Sequence, residues 1–161
     1  MELPSQYQNL LDEYCQSLGI DALIPDQYGA VYLQFNEKLS VGIQLDLQHE
    51  GILYFSYYEI PEGVDCTHIY KSALEGNFLW LQTGEATLSL DGVKGELALM
   101  KRLPFGSVQD LSTFRSSLYE FVNIAHEWQQ KIAQSEPRAT DRKTEKSACP
   151  DPAVPHSWER V

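Results

Sequence analysis

The most constraining feature of the chain is a long amphipathic segment towards its C-terminal end. Apolar residues recur there at spacings of three and four, which is the period of a helix with one buried face. The pattern predicts a helix that begins near Ser107 or Asp110 and buries a single apolar stripe. The members of that stripe are Leu111, Phe114, Leu118, Phe121, Val122, Ala125, Trp128 and Ile132.

Five shorter segments have the pattern of strands. Val41 to Gln48 alternates strictly between apolar and polar residues, which predicts an antiparallel strand with one buried face and one wet face. Ile52 to Ile60 differs because its aromatic residues fall on both faces, so either both faces are covered or one is left for a partner. The other predicted strands are Ala30 to Asn36, Glu85 to Asp91 and Gly95 to Arg102, the last two forming a hairpin across Gly92.

Two more helices complete the predicted elements. The first covers residues 5–18 and ends at Gly19, a residue suited to a helix C-terminus. The second begins near Asp65, which can cap it, and ends near Asn77. Gly76 would weaken that helix by about 1 kcal/mol relative to alanine if it lay inside. The order α-β-β-β-α-β-β-α predicts an α+β fold with an antiparallel sheet and three helices packed against it.

Charge and composition divide the chain into two parts. Residues 1–134 hold seven Lys and Arg against eighteen Asp and Glu, which accounts for the whole net charge of −11. Residues 135–161 carry five residues of each sign, several prolines and no hydrophobic periodicity. We therefore expect one folded domain over residues 1–134 and a disordered tail over residues 135–161.

The acidic balance restricts the partners of the domain. A strongly negative surface repels phosphate, which argues against nucleic acid and against an anionic membrane surface. It suits a basic or amphipathic polypeptide, although negative charge can also serve solubility alone. Three widely spaced cysteines fit a reducing compartment better than a disulfide framework. The sequence shows neither a secretory signal nor a membrane-spanning run, so we expect a cytoplasmic location.

The sequence offers little for catalysis, for a metal or for a cofactor. Cys66 and His68 are two positions apart on a predicted helix, where their side chains point in different directions. No nucleophile elbow, phosphate loop or zinc-protease motif occurs. We therefore predict no enzyme, no metal and no cofactor; an enzyme that uses Cys66 or His68 is the weakest of the alternatives.

The order of several short motifs resembles the class I type III secretion chaperones, the Tir chaperone family. The resemblance spans about residues 3 to 132 and is strongest after residue 65. Its parts are Asn77 with Phe78, Thr83 with Gly84, residues 86–91, the Leu103-Pro104 break, and a last helix bearing Phe121 and Trp128.

The resemblance implies a homodimeric bacterial chaperone of the cytoplasm. Such a protein binds the N-terminal region of one or more secreted effector proteins, keeps it extended and uses no nucleotide. A secretion ATPase is a further partner that the resemblance suggests. The resemblance also places the dimer interface on the second helix and just beyond it. The residues selected for it are Ile69, Tyr70, Ala73, Leu74, Phe78 and Trp80. For effector contact we select Leu11, Tyr14, Leu18, Tyr32, Tyr54 and Tyr58.

One alternative belongs to another functional class. The same order of elements would serve a small cytoplasmic regulatory or sensory module that binds a folded protein. Binding of an extended peptide separates the two hypotheses, because only the chaperone should hold such a segment.

Overall fold

The computed structural model describes residues 5–61, 63–108 and 110–135. Over these residues the predicted α+β order is confirmed, with three helices and five strands. The helices are α1 (Ser5–Leu18), α2 (Cys66–Asn77) and α3 (Leu111–Ala133), and short 3-10 turns cover Phe78–Trp80 and Phe105–Ser107. The strands are β1 (Ala30–Gln34), β2 (Ser40–Asp46), β3 (Gly51–Tyr58), β4 (Thr87–Asp91) and β5 (Glu96–Pro104).

The strands form one antiparallel sheet in the order β1-β2-β3-β5-β4. The centre of the sheet joins the two halves of the chain, because β3 pairs with β5 and places Tyr54 opposite Lys101. The edges are β1 and β4. The predicted hairpin is the β4–β5 pair.

Side-chain caps fix where α2 and α3 begin. Asp65 accepts a hydrogen bond from the backbone N–H of Thr67 at 2.9 Å, and Asp110 accepts one from the N–H of Thr113 at 2.7 Å. Each bond satisfies a backbone donor that the first turn of a helix leaves unpaired. The hydrogen bonds from Thr113 hold the pKa of Asp110 below its usual value.

The hydrophobic core lies on one face of the sheet, which we call the inner face. Tyr54 of β3 packs there against Phe114 and Phe121 of α3 with ring centroids 6.1 and 5.6 Å apart. Its hydroxyl lies 3.0 Å from Oγ of Ser117, while the hydroxyl of Tyr58 donates to the backbone carbonyl of Ala125 at 3.1 Å. All three helices contribute buried residues to this core.

The end of α2 covers part of the sheet edge formed by β4. The Asn77 side chain donates to the backbone carbonyl of Leu88 and accepts from its backbone N–H, both at 2.9 Å. These are the two backbone groups that a further strand would use at that residue. Asn77 thus blocks pairing at this point of β4.

Several strand ends differ from the sequence prediction. β4 begins at Thr87 rather than Glu85, and β5 continues to Pro104 rather than ending at Arg102. β1 ends at Gln34 because the Asn36 side chain accepts from the backbone N–H groups of Lys38 and Leu39 and begins a turn. β2 ends at Asp46, whose carboxylate accepts from the backbone N–H of His49. β3 ends at Tyr58, two residues short of Ile60. The predicted tail lies outside the described residues from residue 136 onwards.

Candidate functional site

Two exposed apolar surfaces stand out on the described part of the chain. The first lies on the side of the sheet opposite the core, which we call the outer face, and centres on Tyr32, Phe55 and Tyr57. Tyr32 and Tyr57 are about half exposed, at 52% and 46%, and Phe55 is buried between them. Their ring centroids form an edge-to-face chain, 5.8 Å from Tyr32 to Phe55 and 5.7 Å from Phe55 to Tyr57.

Gly42 makes the shape of this aromatic row possible. An ideal Cβ at Gly42 would lie 2.2 Å from Cζ of Phe55, a distance no side chain tolerates. The Phe55 ring therefore lies directly on the β2 backbone, which is opposite it in the strand register. The buried ring of Phe55 therefore lies between two exposed tyrosine rings, one on each side.

Charged groups stand at both ends of the row. Partial burial and the nearby Asp26 carboxylate raise the pKa of Tyr32. At the other end Nζ of Lys94 lies 5.4 Å from the ring centroid of Tyr57, within reach of a cation–π interaction. The row can bind apolar side chains between polar ends, which suits a peptide of mixed composition.

The strand at the Tyr32 end, β1, is also an edge of the sheet that the described residues form. Asp26 closes the first residue of β1, since its backbone N–H donates to the Ala30 carbonyl at 2.8 Å and its carboxylate accepts from the Ala30 N–H at 2.9 Å. Backbone groups in an antiparallel strand point alternately to the two sides. The outward-pointing groups of Ala30 therefore recur at Tyr32 and Gln34, beyond the part that Asp26 closes.

The second surface lies at the end of α2 and in the turn that follows, and we call it the α2-end surface. Leu74 is 71% exposed and Phe78 is 65% exposed. Leu79 and Trp80 adopt positive φ angles of 51° and 54°, a region that non-glycine residues rarely occupy. The other exposed apolar residues here are Leu79, Trp80 and Leu81. Strained backbone that holds apolar side chains in water favours a binding role.

The residues predicted for the dimer interface divide between the core side of α2 and the α2-end surface. Ile69 and Ala73 are buried in the core, and Tyr70 is half-buried against it. Leu74, Phe78 and Trp80 lie on the α2-end surface. The predicted effector-contact residues also divide: Leu11, Tyr14, Tyr54 and Tyr58 are buried on the inner side, whereas Leu18 and Tyr32 are exposed.

Several residues of these surfaces were missed by the sequence analysis. Phe55 and Tyr57 belong to the outer face, and the loop before β1 exposes Ile24 and Tyr28. The aromatic residues on both faces of β3 were the available signal, but the pattern did not say which set faces the helices. Leu79 and Leu81 gave no signal, because no local pattern predicts the positive φ angles that Leu79 and Trp80 adopt in this turn.

Cys66 and His68, the residues considered for catalysis, both lie in the first turn of α2, and Cys66 is half-buried. His68 is exposed. Among the described residues, no group of three or more His, Cys, Asp or Glu is placed to hold a metal ion. No helix in the described part of the chain has the length and apolar character needed to cross a membrane.

Comparisons with known proteins agree on the fold. Residues 9–129 match the profile of the Tir chaperone protein (CesT) family. No curated protein sequence matches the chain. Solved structures with the same fold include the ExsC–ExsE complex, with a TM-score of 0.70 and 22% identity over 87% of this chain and 100% of that one.

Two further solved structures are complexes as well. The HopA1–SchA chaperone–effector complex has a TM-score of 0.62 and 17% identity, over 80% of this chain and 99% of that one. The ExoT–SpcS complex from Pseudomonas aeruginosa has a TM-score of 0.57 and 19% identity, over 78% and 98%. At identities this low, the structural similarity establishes a shared fold.

Proposed function

The chain belongs to the Tir chaperone protein (CesT) family, and we propose that it is a type III secretion chaperone. In this proposal it binds the N-terminal region of one or more secreted effector proteins in the bacterial cytoplasm. It keeps that region extended and soluble without ATP, so that the effector stays competent for secretion. We assign the chain no catalytic role.

The observation that carries the proposal is the aromatic row on the outer face. A soluble protein rarely leaves contiguous aromatic surface exposed unless a partner covers it. Tyr32 and Tyr57 stand above the ring of Phe55, so the apolar side chains of a client can lie between the two tyrosines. Aromatic side chains of this kind dominate the energetics of many binding surfaces.

The position of β1 at an edge of the sheet supports an extended client over a helical one. A strand that pairs with a sheet edge gains affinity from main-chain hydrogen bonds and selectivity from side-chain pockets. Tyr32 combines both features, because its backbone lies at the β1 edge and its ring lies on the outer face. The β4 edge is less suited to an added strand, since Asn77 already occupies the outward groups of Leu88.

We also propose that two copies associate through the α2-end surface. Leu74, Phe78 and Trp80 supply exposed apolar area next to the rigid contact between α2 and β4. Ile69 and Ala73 support this surface from the core rather than forming it. The interface stays a prediction, as does a contact with a secretion ATPase.

The acidic domain suits clients with positive charge. Residues 1–134 carry the whole net charge of −11, which accelerates encounter with basic segments and depends on ionic strength. Charge of this kind raises the association rate more than it raises affinity.

Co-expression with N-terminal fragments of candidate effectors tests the proposed function. A chaperone of this kind should retain a fragment through size exclusion, and light scattering should give the mass of two chains with one client. A panel in which every fragment is lost, while folded protein partners are retained, would instead support the regulatory module.

A further inference from the structure

The β1 edge offers a partner only a short run of backbone groups. The backbone N–H of Phe35 donates to the carbonyl of Leu39 at 2.9 Å. This bond continues the register of β1 and β2, in which Leu33 lies opposite Val41. The odd-numbered residues of β1 therefore direct their backbone groups towards β2. The even-numbered residues direct theirs away from β2, to the edge of the sheet that the described residues form.

Asp26 closes this edge at the N-terminal end of β1. Its carboxylate accepts from the backbone N–H groups of Tyr28 and Ala30, at 2.8 and 2.9 Å. Its own backbone N–H donates to the carbonyl of Ala30 at 2.8 Å. Both edge groups of Ala30 thus have partners, and a strand from another molecule cannot pair there without displacing Asp26.

Asn36 closes the edge at the C-terminal end of β1. Its backbone carbonyl accepts a hydrogen bond from Nε2 of Gln34. Its side chain accepts from the backbone N–H groups of Lys38 and Leu39, at 2.9 and 2.8 Å, and turns the chain back towards β2. The strand therefore ends at Gln34, and an added strand finds no continuous edge beyond it.

Tyr32 and Gln34 remain between these two closures. Each presents a backbone N–H and a carbonyl at the edge, and in the described part of the chain no hydrogen bond engages these groups. Both side chains are exposed, and the ring of Tyr32 belongs to the aromatic row. A strand that pairs with both residues needs a length of only about three residues. Its side chains beside Tyr32 and Gln34 would lie on the outer face.

We propose that the client contributes a strand of about three residues, which pairs with β1 at Tyr32 and Gln34 alone. Asp26 and Asn36 set the place of this strand, because they close the positions on either side of it. The client residue beside Tyr32 carries an apolar side chain, since the Tyr32 ring is the nearest part of the aromatic row. This inference rests on the proposed function and adds to it the position, length and side-chain pattern of the client strand.

A backbone N-methyl scan of the client tests this pairing without any change to the protein. The probe is a synthetic peptide of the effector fragment retained in co-expression, with one amide N-methylated at a time. Two amides, in residues two positions apart, donate to the carbonyls of Tyr32 and Gln34 in either strand direction. Methylation of either amide should weaken binding roughly ten-fold or more in calorimetry. The amide between them points away from β1, so its methylation is the matched control and should leave the affinity unchanged.

A third sensitive amide in the same alternation would overturn the closure of the edge. A bound peptide with no sensitive amide would overturn the strand pairing and leave client binding at the aromatic row intact. Loss of every fragment in co-expression would instead refute the proposed function, and this inference with it.

Amide hydrogen exchange of the protein gives an independent readout. Client binding should slow exchange at the N–H groups of Tyr32 and Gln34. It should leave the rate at Ala30 unchanged, because Asp26 already holds that N–H in the free protein. Unchanged exchange at Tyr32 and Gln34, or slower exchange at Ala30, would contradict the proposal.

Discussion

The indole of Trp128 occupies the space that a side chain at Gly76 would need. An ideal Cβ on Gly76 would lie 2.4 Å from Cζ2 of Trp128. The same indole donates from Nε1 to the backbone carbonyl of Gln82 at 2.9 Å, and Nζ of Lys131 lies 4.5 Å from the centroid of its ring. One tryptophan thus joins α2, α3 and the turn that carries the α2-end surface.

Replacing Gly76 with alanine should therefore destabilise the protein. Alanine favours a helix by about 1 kcal/mol over glycine, but overpacking a tight contact costs about 1–3 kcal/mol. We expect a lower urea midpoint for Gly76→Ala at fixed protein concentration. Gly92→Ala is the matched control, because a Cβ there meets no atom within 4 Å. Equal midpoints for the two variants would contradict the contact.

This relationship also shows where sequence reasoning stops. In the sequence, Gly76 is only a residue that weakens a helix, and it made the end of the second helix hard to place. The structure puts it inside α2 because the ring of Trp128, far away in the chain, fills the space above it. Local propensity carries no information about such a long-range contact. The cap at Asp65 is local and was predicted from the sequence, whereas for α3 the sequence left Ser107 and Asp110 open as starting points and the structure places the cap at Asp110.

Substitution of Leu74 with aspartate should give monomers. Leu74 is exposed within one chain, so a charge there leaves the fold intact but opposes association through the α2-end surface. Light scattering after size exclusion should show the mass of one chain. Ile69→Asp cannot test the interface, because Ile69 is only 3% exposed and the charge would be buried in the core.

Tyr119→Asp serves as the control for that experiment. Tyr119 is an exposed aromatic residue of α3 that lies outside the α2-end surface. The Tyr119→Asp protein should keep the mass of the parent protein in light scattering. A Leu74→Asp protein that remains dimeric would exclude the α2-end surface as the interface.

Alkaline pH should unfold the protein through its buried tyrosines. Burial raises the pKa of Tyr7, Tyr54 and Tyr58 well above the usual value. The unfolded chain loses these protons near about pH 10, whereas the folded chain retains them. Stability from this source is thus full below that pH and is lost as pH rises towards the folded pKa.

Tyrosinate absorbance and circular dichroism, followed together against pH, measure this effect. We expect the tyrosinate absorbance of the three buried tyrosines to develop only as the dichroism shows unfolding. The variant Tyr58→Phe should show a smaller increase in absorbance during that unfolding transition. If all the absorbance developed near about pH 10 with the dichroism unchanged, the burial of these three hydroxyls would be wrong.

Truncating the tall side chains of the aromatic row should weaken client binding. Loss of a central aromatic contact commonly costs more than 1 kcal/mol, so we expect Tyr32→Ala/Tyr57→Ala to bind a client fragment roughly ten-fold more weakly or worse. Isothermal titration calorimetry gives the affinity. Tyr119→Ala controls for the loss of an exposed ring elsewhere, and equal affinities for both proteins would refute the assignment.

The outer face could be predicted only in part, because strand alternation does not say which face is covered. Tyr54 and Tyr58 share one face of β3, and Phe55 and Tyr57 share the other. We selected Tyr54 and Tyr58 for effector contact, yet α3 covers that face and both are buried. Tyr32 was selected for the same role and lies on the exposed face. Side chains alternate between the two faces of a strand, so a wrong assignment of the buried face misplaces every side chain of that strand. The buried face is decided by where the helices pack.

The most direct test of client binding at the outer face is isotope-edited NMR of the chain in complex with a client fragment. We expect the shifts to concentrate at β1 and at Tyr32, Phe55 and Tyr57, and we expect the bound fragment to have the chemical shifts of extended backbone. Shifts confined to other surfaces, or a client that binds only as a folded domain, would contradict it.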